Sequence, residues 1–443
     1  MKAWTHLLIN KNQMKTVIIG AGLSGLSLAY YLEKQGIKDY ILLEKSSGVG
    51  GLCKSIKKEG FTFDMAIHML HLRNEEIINL TKELLGEELI LIDRNAGILL
   101  NGRFIPYPFQ QNNYFLDKNT KIECLTGLID ASKNFDESKT LKNFKEWVEI
   151  SQGKGIAEHF MIPYNKKCYA VNPEELTIDC GGRYLPKPDI KEIIRGADTD
   201  ISKTKGGYNY QFYYPKKGIN QLSEAFAQKI HNLFLGEKAV KIDVNRRLMI
   251  TNRNVYHFTN LVSTIPIKEL IRLIEDAPEK IKLANEKLRC NSVSAILLGV
   301  NRPNICSYQW LYLPQENILP YRISFPMNYL NKMAPPNMSS ICAEYSYVGE
   351  RKLTDKELIK RVIDDLIQIG FIKNKEDIIF EEVIDLYPGY VIFDSNRNEN
   401  LQIIQNYLKE NNIYSIGRFG AWEYSSMEDA IIAGKDTAHR LLN

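Results

Sequence analysis

The sequence predicts an α/β protein organised around a Rossmann-type nucleotide-binding unit, and two local observations carry that prediction. The first is a β-branched run, Thr16 to Ile19, that leads into Gly20-Ala21-Gly22-Leu23-Ser24-Gly25 and then into a helical pattern with Leu26, Ala29 and Tyr30 on one face. The second is a further apolar run, Tyr40 to Glu44, that ends on an acidic residue at the spacing a βαβ unit requires. In such a unit Gly20 permits the tight turn, Gly22 lets backbone approach a pyrophosphate, and Gly25 lets helix and strand pack closely. The helix start offers N–H groups and a positive dipole end to phosphate, and Glu44 is placed to accept from a ribose diol.

The rest of the chain is read in order. Helical stretches dominate from about 76 to 234, with Phe144, Trp147 and Val148 on one helix and Ile156 to Met161 on another. Three short strands follow between about 238 and 265. Strands at 293–300, 309–313, 322–325 and 340–345 alternate next, and a helix over 355–370 places Leu358, Val362, Leu366 and Ile369 on one face. A strand at 413–416 and a helix at about 428–442 close the sequence.

With 443 residues, 44% of them hydrophobic, several sub-domains can be buried. A net charge of +4 is too mild to predict a nucleic-acid partner. The seven cysteines are scattered without a CxxC pair, so neither a metal site nor a disulfide framework is expected, and reduced thiols in the cytoplasm are. No apolar run is long enough for a membrane span. Met14 is the expected structural start, with residues 1–13 read either as an extension or as the product of an upstream start codon.

Three further features resemble flavoproteins of the amine-oxidase and phytoene-desaturase type and point to FAD. Gly48, Gly50 and Gly51 form a second glycine loop past Glu44. The stretch around Val240, ending in Leu261-Val262-Ser263-Thr264-Ile265-Pro266, is similar to the segment bordering the adenine. Gly417-Arg418-Phe419-Gly420 precedes the last helix. The expected division is therefore a discontinuous FAD-binding domain (14–75, 235–285 and 405–443), a mainly helical insertion (76–234) and an antiparallel β-sheet substrate domain (286–404).

A narrower resemblance begins at Ile105-Pro106-Tyr107-Pro108-Phe109-Gln110. It continues through Gly153-Lys154-Gly155-Ile156-Ala157, Met161-Ile162-Pro163-Tyr164-Asn165-Lys166, Gly182-Arg183, Trp310-Leu311-Tyr312-Leu313-Pro314, Tyr321-Arg322 and Tyr387-Pro388. It ends with Gly417-Arg418-Phe419-Gly420-Ala421-Trp422-Glu423-Tyr424. The chain resembles the UDP-galactopyranose mutase family, mixing features of its eukaryote-like and bacterial branches.

That resemblance implies an isomerase that interconverts the pyranose and furanose forms of a nucleotide-diphosphate sugar such as UDP-galactose, for cell-surface polysaccharide biosynthesis. N5 of reduced FAD would act as nucleophile on the anomeric carbon, and a reductant such as NAD(P)H would supply the reduced state. Arg183 and Arg322 fall at the two pyrophosphate-clamping positions and His68 at the flavin-facing histidine. Tyr312, Tyr387 and Tyr424 match diphosphate contacts, Tyr107 and Gln110 match positions beside the uridine, and Tyr164 and Asn165 match the nucleotide-pocket wall. Arg418 and Asp429 would reach the FAD pyrophosphate, flavin edge or ribityl; for Asp429, helix capping competes. Nucleic acid and metal are not expected; a homo-oligomer is compatible with the sequence.

One departure stands out. The family carries two glycines before the histidine, where this chain has Ala66-Ile67. Glycine there permits a positive φ that Ile resists, which predicts impaired backbone motion next to the flavin. The alternative reading is an FAD-dependent oxidase or dehydrogenase of the amine-oxidase or protoporphyrinogen-oxidase type, which needs no interior arginines. A nucleotide-sugar binder without turnover is a third.

Overall fold

The computed structural model describes residues 13–133, 141–180, 189–201 and 210–442. Two seven-stranded sheets organise it. In the first, strand Gln13–Ile19 is central, with Tyr40–Glu44 and Val255–Ser263 parallel on either side. Leu233–Leu235 extends the sheet beyond Tyr40–Glu44. Val255–Ser263 is long enough to serve two neighbours on its other side. Its first residues pair antiparallel with Leu248–Thr251 and its last pair parallel with Ile413–Ser415. Every residue of Tyr40–Glu44 is buried, as expected for a parallel strand covered on both faces.

Helix Leu23–Lys34 crosses Met427–Arg440 at very short range. A Cβ on Gly434 would lie 2.5 Å from the Ser24 carbonyl oxygen, so only glycine admits the approach. Ser27 Oγ donates to the Ile431 carbonyl at 2.7 Å across the same crossing.

The second sheet runs in the order Ile378–Leu386, Ser292–Val300, Ser339–Tyr347, Arg322–Ser324, Trp310–Tyr312, Ala96–Leu100, Arg103–Pro106. Pairing is antiparallel except where Trp310–Tyr312 meets Ala96–Leu100. Helix Asp355–Gln368 starts in a capping box between Thr354 and Glu357 and covers this sheet with Leu358, Val362 and Leu366.

The segment expected to be mainly helical is richer in strands than its periodicity suggests. Ala96–Leu100 and Arg103–Pro106 join the second sheet, Leu89–Asp93 pairs with Gln211–Pro215, and Leu233–Leu235 joins the first sheet. The continuous apolar run of Ala96–Leu100 carries no period that separates strand from helix, and partners far along the chain decide it. The helix expected near Ile156–Met161 is there with a defect. Its turn Ala157–Met161 is π-helical and continues into Ile162–Tyr169. Pro163, without an N–H, cannot complete the ordinary ladder at that point, which accounts for the bulge.

Candidate active site

The glycine loop is built as a phosphate cradle. Gly20 sits at φ 96, and a Cβ there would lie 2.5 Å from Thr264 Oγ1, whose hydroxyl donates to the Ile19 and Gly20 carbonyls at 3.0 Å. The second glycine loop lies directly on the first. Gly50 N donates to the Ala21 carbonyl at 2.8 Å, and Gly22 and Gly50 form a parallel bridge. Helix Leu23–Lys34 begins with Gly22 at its N-cap, no capping side chain and no acidic residue in its first turn. Its first N–H groups and dipole end are thereby left for an anion. Glu44 is buried, accepting from Ala21 N at 2.9 Å and Ser46 N at 2.8 Å.

These residues fit FAD: bare glycines where a Cβ would fill the cradle, an uncapped helix start, and a carboxylate at the ribose position. Gly20, Gly22, Gly25, Gly50, Gly51 and Glu44 could hold the dinucleotide. Val240 turns a 43% exposed side chain outward from strand Ala239–Asp243, so only its backbone could meet a base.

The carboxy-terminal helix is built differently from its expected role. Asp429 closes a capping box, its Oδ2 accepting from Ser426 N at 2.7 Å and Ser426 Oγ at 2.8 Å. Glu428 accepts from Arg73 N and Asn74 N at 2.6 and 2.7 Å. Asp429 thus serves as a helix cap, the role that competes with a contact to the ribityl. Arg418 instead reaches the cleft. Its Nη1 donates to the Ser425 carbonyl at 2.9 Å and its guanidinium stacks over the Tyr424 ring at 4.7 Å.

His68 follows strand Phe61–Asp64 and is within electrostatic range of Arg418, Glu344 and Arg322. Burial, then the charge of Arg418, pull its pKa down to about 4, with Arg322 adding to the effect and Glu344 opposing it. The imidazole is neutral at pH 7. A hydrogen bond to the Ala66 backbone also opposes the shift, while the buried Ser425 Oγ has no hydrogen-bond partner among the described residues, as a polar atom facing a bound group would not. The turn before it corrects the expectation for Ala66-Ile67. Ala66 alone takes the left-handed conformation, at φ 63, and Ile67 does not. Alanine tolerates that region at a cost of about 1 kcal/mol, whereas a β-branched residue does not, so the strain falls on the residue able to carry it.

Arg322, within electrostatic range of His68, sits among aromatic rings. Arg322 opens strand Arg322–Ser324 and binds Glu344 on the neighbouring strand bidentately, Nε to Oε1 at 2.9 Å and Nη2 to Oε2 at 2.6 Å. Glu344 is 1% exposed and also accepts from Tyr321 OH at 2.5 Å. Arg322 Nη2 approaches Tyr390 OH at 3.4 Å. Rings continue outward in two directions. Tyr321, Tyr164, Tyr312 and Tyr107 meet at centroid distances of 6.2, 5.1 and 5.3 Å, and Tyr390 stacks on Tyr424 at 6.0 Å. Burial pushes the hydroxyls of Tyr164, Tyr321 and Tyr390 well up, so they stay neutral donors.

Of the sequence-derived candidates, the fold brings Arg322, His68, Tyr107, Tyr164, Tyr312, Tyr424 and Arg418 into one connected cluster. Gln110 sits in the turn Phe109–Gln111 just past Tyr107. Asn165 donates to the Met161 carbonyl at 2.7 Å, engaged with the helix that carries it. Tyr387 lies elsewhere: it is 51% exposed, and its hydroxyl lies beside the Cys290 thiol. Tyr390, three positions on and on the other side of a sharp turn at Pro388, occupies the cage instead. Arg183 lies outside the described residues. Sequence reasoning missed Glu344, Tyr321 and Tyr390. The signal for Glu344 was present as a lone carboxylate inside the apolar run Ile341-Cys342-Ala343-Glu344, which a buried strand tolerates only with a paired cation.

Among the described residues no helix is long and apolar enough to cross a membrane. The family of flavin-containing amine oxidoreductases matches residues 23–442. A solved structure of reduced UDP-galactopyranose mutase is 26% identical with a TM-score of 0.91, covering 97% of this chain and 94% of that one. Among curated proteins, a chloroplastic/chromoplastic 15-cis-phytoene desaturase of Arabidopsis thaliana is 29% identical across 88% of this chain and 69% of its own length. A coproporphyrinogen III oxidase of Bacillus subtilis is 22% identical across 80% of this chain and 82% of its own.

Proposed function

This chain belongs to the flavin-containing amine oxidoreductase family and binds FAD, and from that premise we propose that it is a flavin-dependent mutase interconverting the pyranose and furanose forms of a nucleotide-diphosphate sugar, UDP-galactose-like in chemistry. One observation carries the reading: an arginine held bidentately by a buried carboxylate, inside a cage of neutral tyrosine hydroxyls and within electrostatic range of the buried His68. The likeness to a reduced UDP-galactopyranose mutase over nearly the whole chain supports it.

Reduced FAD supplies, when bound, a nucleophilic flavin nitrogen for the sugar's anomeric carbon. The chain's own residues do the rest. A diphosphate gains negative charge as the anomeric bond breaks, and Arg322 meets that charge with a fork already oriented by Glu344. Preorganisation matters because the guanidinium need not be reoriented during the reaction. The hydroxyls of Tyr164 and Tyr390 add neutral donors to the same oxygens, and Arg418 adds a second positive charge near Tyr424. His68, neutral at pH 7, offers a ring nitrogen on the flavin side without adding a charge. The ring wall from Tyr107 to Tyr424 excludes water from a sugar that must not be hydrolysed.

The test is anaerobic incubation of the dithionite-reduced, FAD-loaded chain with UDP-galactofuranose, read by chromatography. Conversion to the pyranose form without oxygen uptake is expected. An oxidase or dehydrogenase is the second reading, favoured by the curated relatives, which are a desaturase and an oxidase. Oxygen consumption with an amine or porphyrinogen, and none of the isomer, would establish it in place of the mutase.

A further inference from the structure

Lys167 makes an unusual set of contacts. Its Nζ donates to four backbone carbonyls, those of Leu313 at 2.6 Å, Gln315 at 2.9 Å, Ile318 at 2.7 Å and Pro320 at 2.8 Å. All four belong to the connection between strands Trp310–Tyr312 and Arg322–Ser324. Lys167 itself lies one turn beyond Tyr164 and two residues beyond Asn165 on helix Ile162–Tyr169. One ammonium thus sits between the helix carrying Tyr164 and the hairpin whose two strands carry Tyr312 and Arg322.

The geometry is that of a cation site. An ammonium has three N–H groups, so four carbonyls at these distances surround it as oxygens surround a cation rather than pair with it one by one. Rings of backbone carbonyls hold potassium in channel filters by replacing its hydration shell. Without a cation the four carbonyl dipoles would point at one another in a half-buried space, with Gln315 keeping only a 3.4 Å contact from Ile318 N. Other groups also hold the connection, but from outside the cage. Leu319 N donates to the buried Asp365 at 2.7 Å, Arg361 Nη2 donates to the Asn317 carbonyl at 2.7 Å, and Lys166 pairs with exposed Glu316 at 2.8 Å.

We propose that Lys167 is the positioning residue of the candidate site: its ammonium fills a four-carbonyl monovalent-cation site and so fixes the spacing between Tyr164 on the helix and Tyr312 and Arg322 on the hairpin. The consequence for the nucleotide rests on the mutase reading above; the consequence for the 313–320 connection does not.

The experiment uses the FAD-loaded full chain and the variant Lys167→Ala, which removes the charge together with the stem and so leaves room for a free ammonium ion among the four carbonyls. Two readouts are taken in sodium chloride and in ammonium chloride at matched ionic strength: backbone hydrogen exchange of residues 313–320, and affinity for UDP. In sodium, exchange should quicken and UDP affinity should fall about tenfold, as the loss of one well-made hydrogen-bonded contact implies. Ammonium should restore both towards wild type. Lys166→Met, which removes only the surface pair with Glu316, should change neither.

Wild-type exchange over 313–320 in the variant, or a loosened connection that ammonium fails to tighten, would overturn the proposal. If the variant does not fold in sodium, yield of FAD-loaded protein refolded in each salt becomes the readout. Recovery by ammonium supports the cation site, and equal yields refute it. A wild-type chain that binds no UDP defeats the nucleotide reading, while hydrogen exchange still decides the role of Lys167.

Discussion

Arg322→Lys is the substitution that tests the candidate site most directly. Lysine keeps the positive charge beside Glu344, so no buried carboxylate is stranded and the chain should still load FAD. What is lost is the fork. Arg322 spends Nε and Nη2 on the two oxygens of Glu344, at 2.9 and 2.6 Å, and still has Nη1 to offer a ligand. A lysine ammonium placed against Glu344 cannot keep both of those bonds and also reach a phosphate from a fixed direction. The loss is one charge-assisted hydrogen bond made in the transition state, about 1.5–3 kcal/mol, or roughly 10- to 150-fold in kcat/KM. The assay is anaerobic turnover of UDP-galactofuranose by the dithionite-reduced variant, with flavin absorbance confirming the cofactor load. Turnover within twofold of wild type would refute the assignment of Arg322 to the diphosphate.

Three other outcomes are expected. Glu344→Gln leaves a buried guanidinium without its counter-charge and should destabilise the fold by about 3–5 kcal/mol, measured by urea unfolding; an unchanged midpoint would mean that Arg322 finds another partner. Gly20→Ala places a Cβ at φ 96 and 2.5 Å from Thr264 Oγ1, so the purified protein should carry less than about a tenth of the wild-type flavin absorbance. Acid should destabilise the chain progressively below about pH 6.5. Burial first, and neighbouring arginines second, hold His68 and His71 at about 4, so the unfolded state binds the extra protons between pH 6.5 and 4 and stability falls as pH drops through that window. Burial raises Asp64 to about 6, and that group protonates earlier in the folded state and offsets part of the loss. The net is on the order of 4 kcal/mol, and His71→Asn should flatten the pH dependence of the urea midpoint.

Local features of the fold are legible in the sequence and non-local ones are not. The glycine loop, Glu44 and the helix between them lie within one βαβ unit, where spacing alone sets geometry, and strand Tyr40–Glu44 has the limits its apolar run suggests. Arg322 is legible only through its flanking motif. Its partner Glu344 and the cage residue Tyr390 come from other strands and turns, and no spacing links them to Arg322. Tyr387 shows the same limit from the other direction: the right segment is identifiable, but which of its tyrosines turns inward depends on the turn around Pro388. The π-helical turn at Ala157–Met161 is hidden because Pro163 looks, in sequence, like an ordinary helix start. Strands such as Ile378–Leu386 escape notice because their burial is uneven and their pairing is with residues almost a hundred positions away.

The forked strand Val255–Ser263 also constrains how the chain is made. As the polypeptide leaves the ribosome, that strand can zip onto Gln13–Ile19 early, yet its distal half keeps a bare row of amide and carbonyl groups until Ile413–Ser415 emerges. For about a third of translation, between Ser263 and Ile413, the nascent nucleotide-binding sheet therefore carries a sticky flank. A premature stop between Ser263 and Ile413 would leave that flank open for good, and such products should aggregate rather than persist as a weakened enzyme.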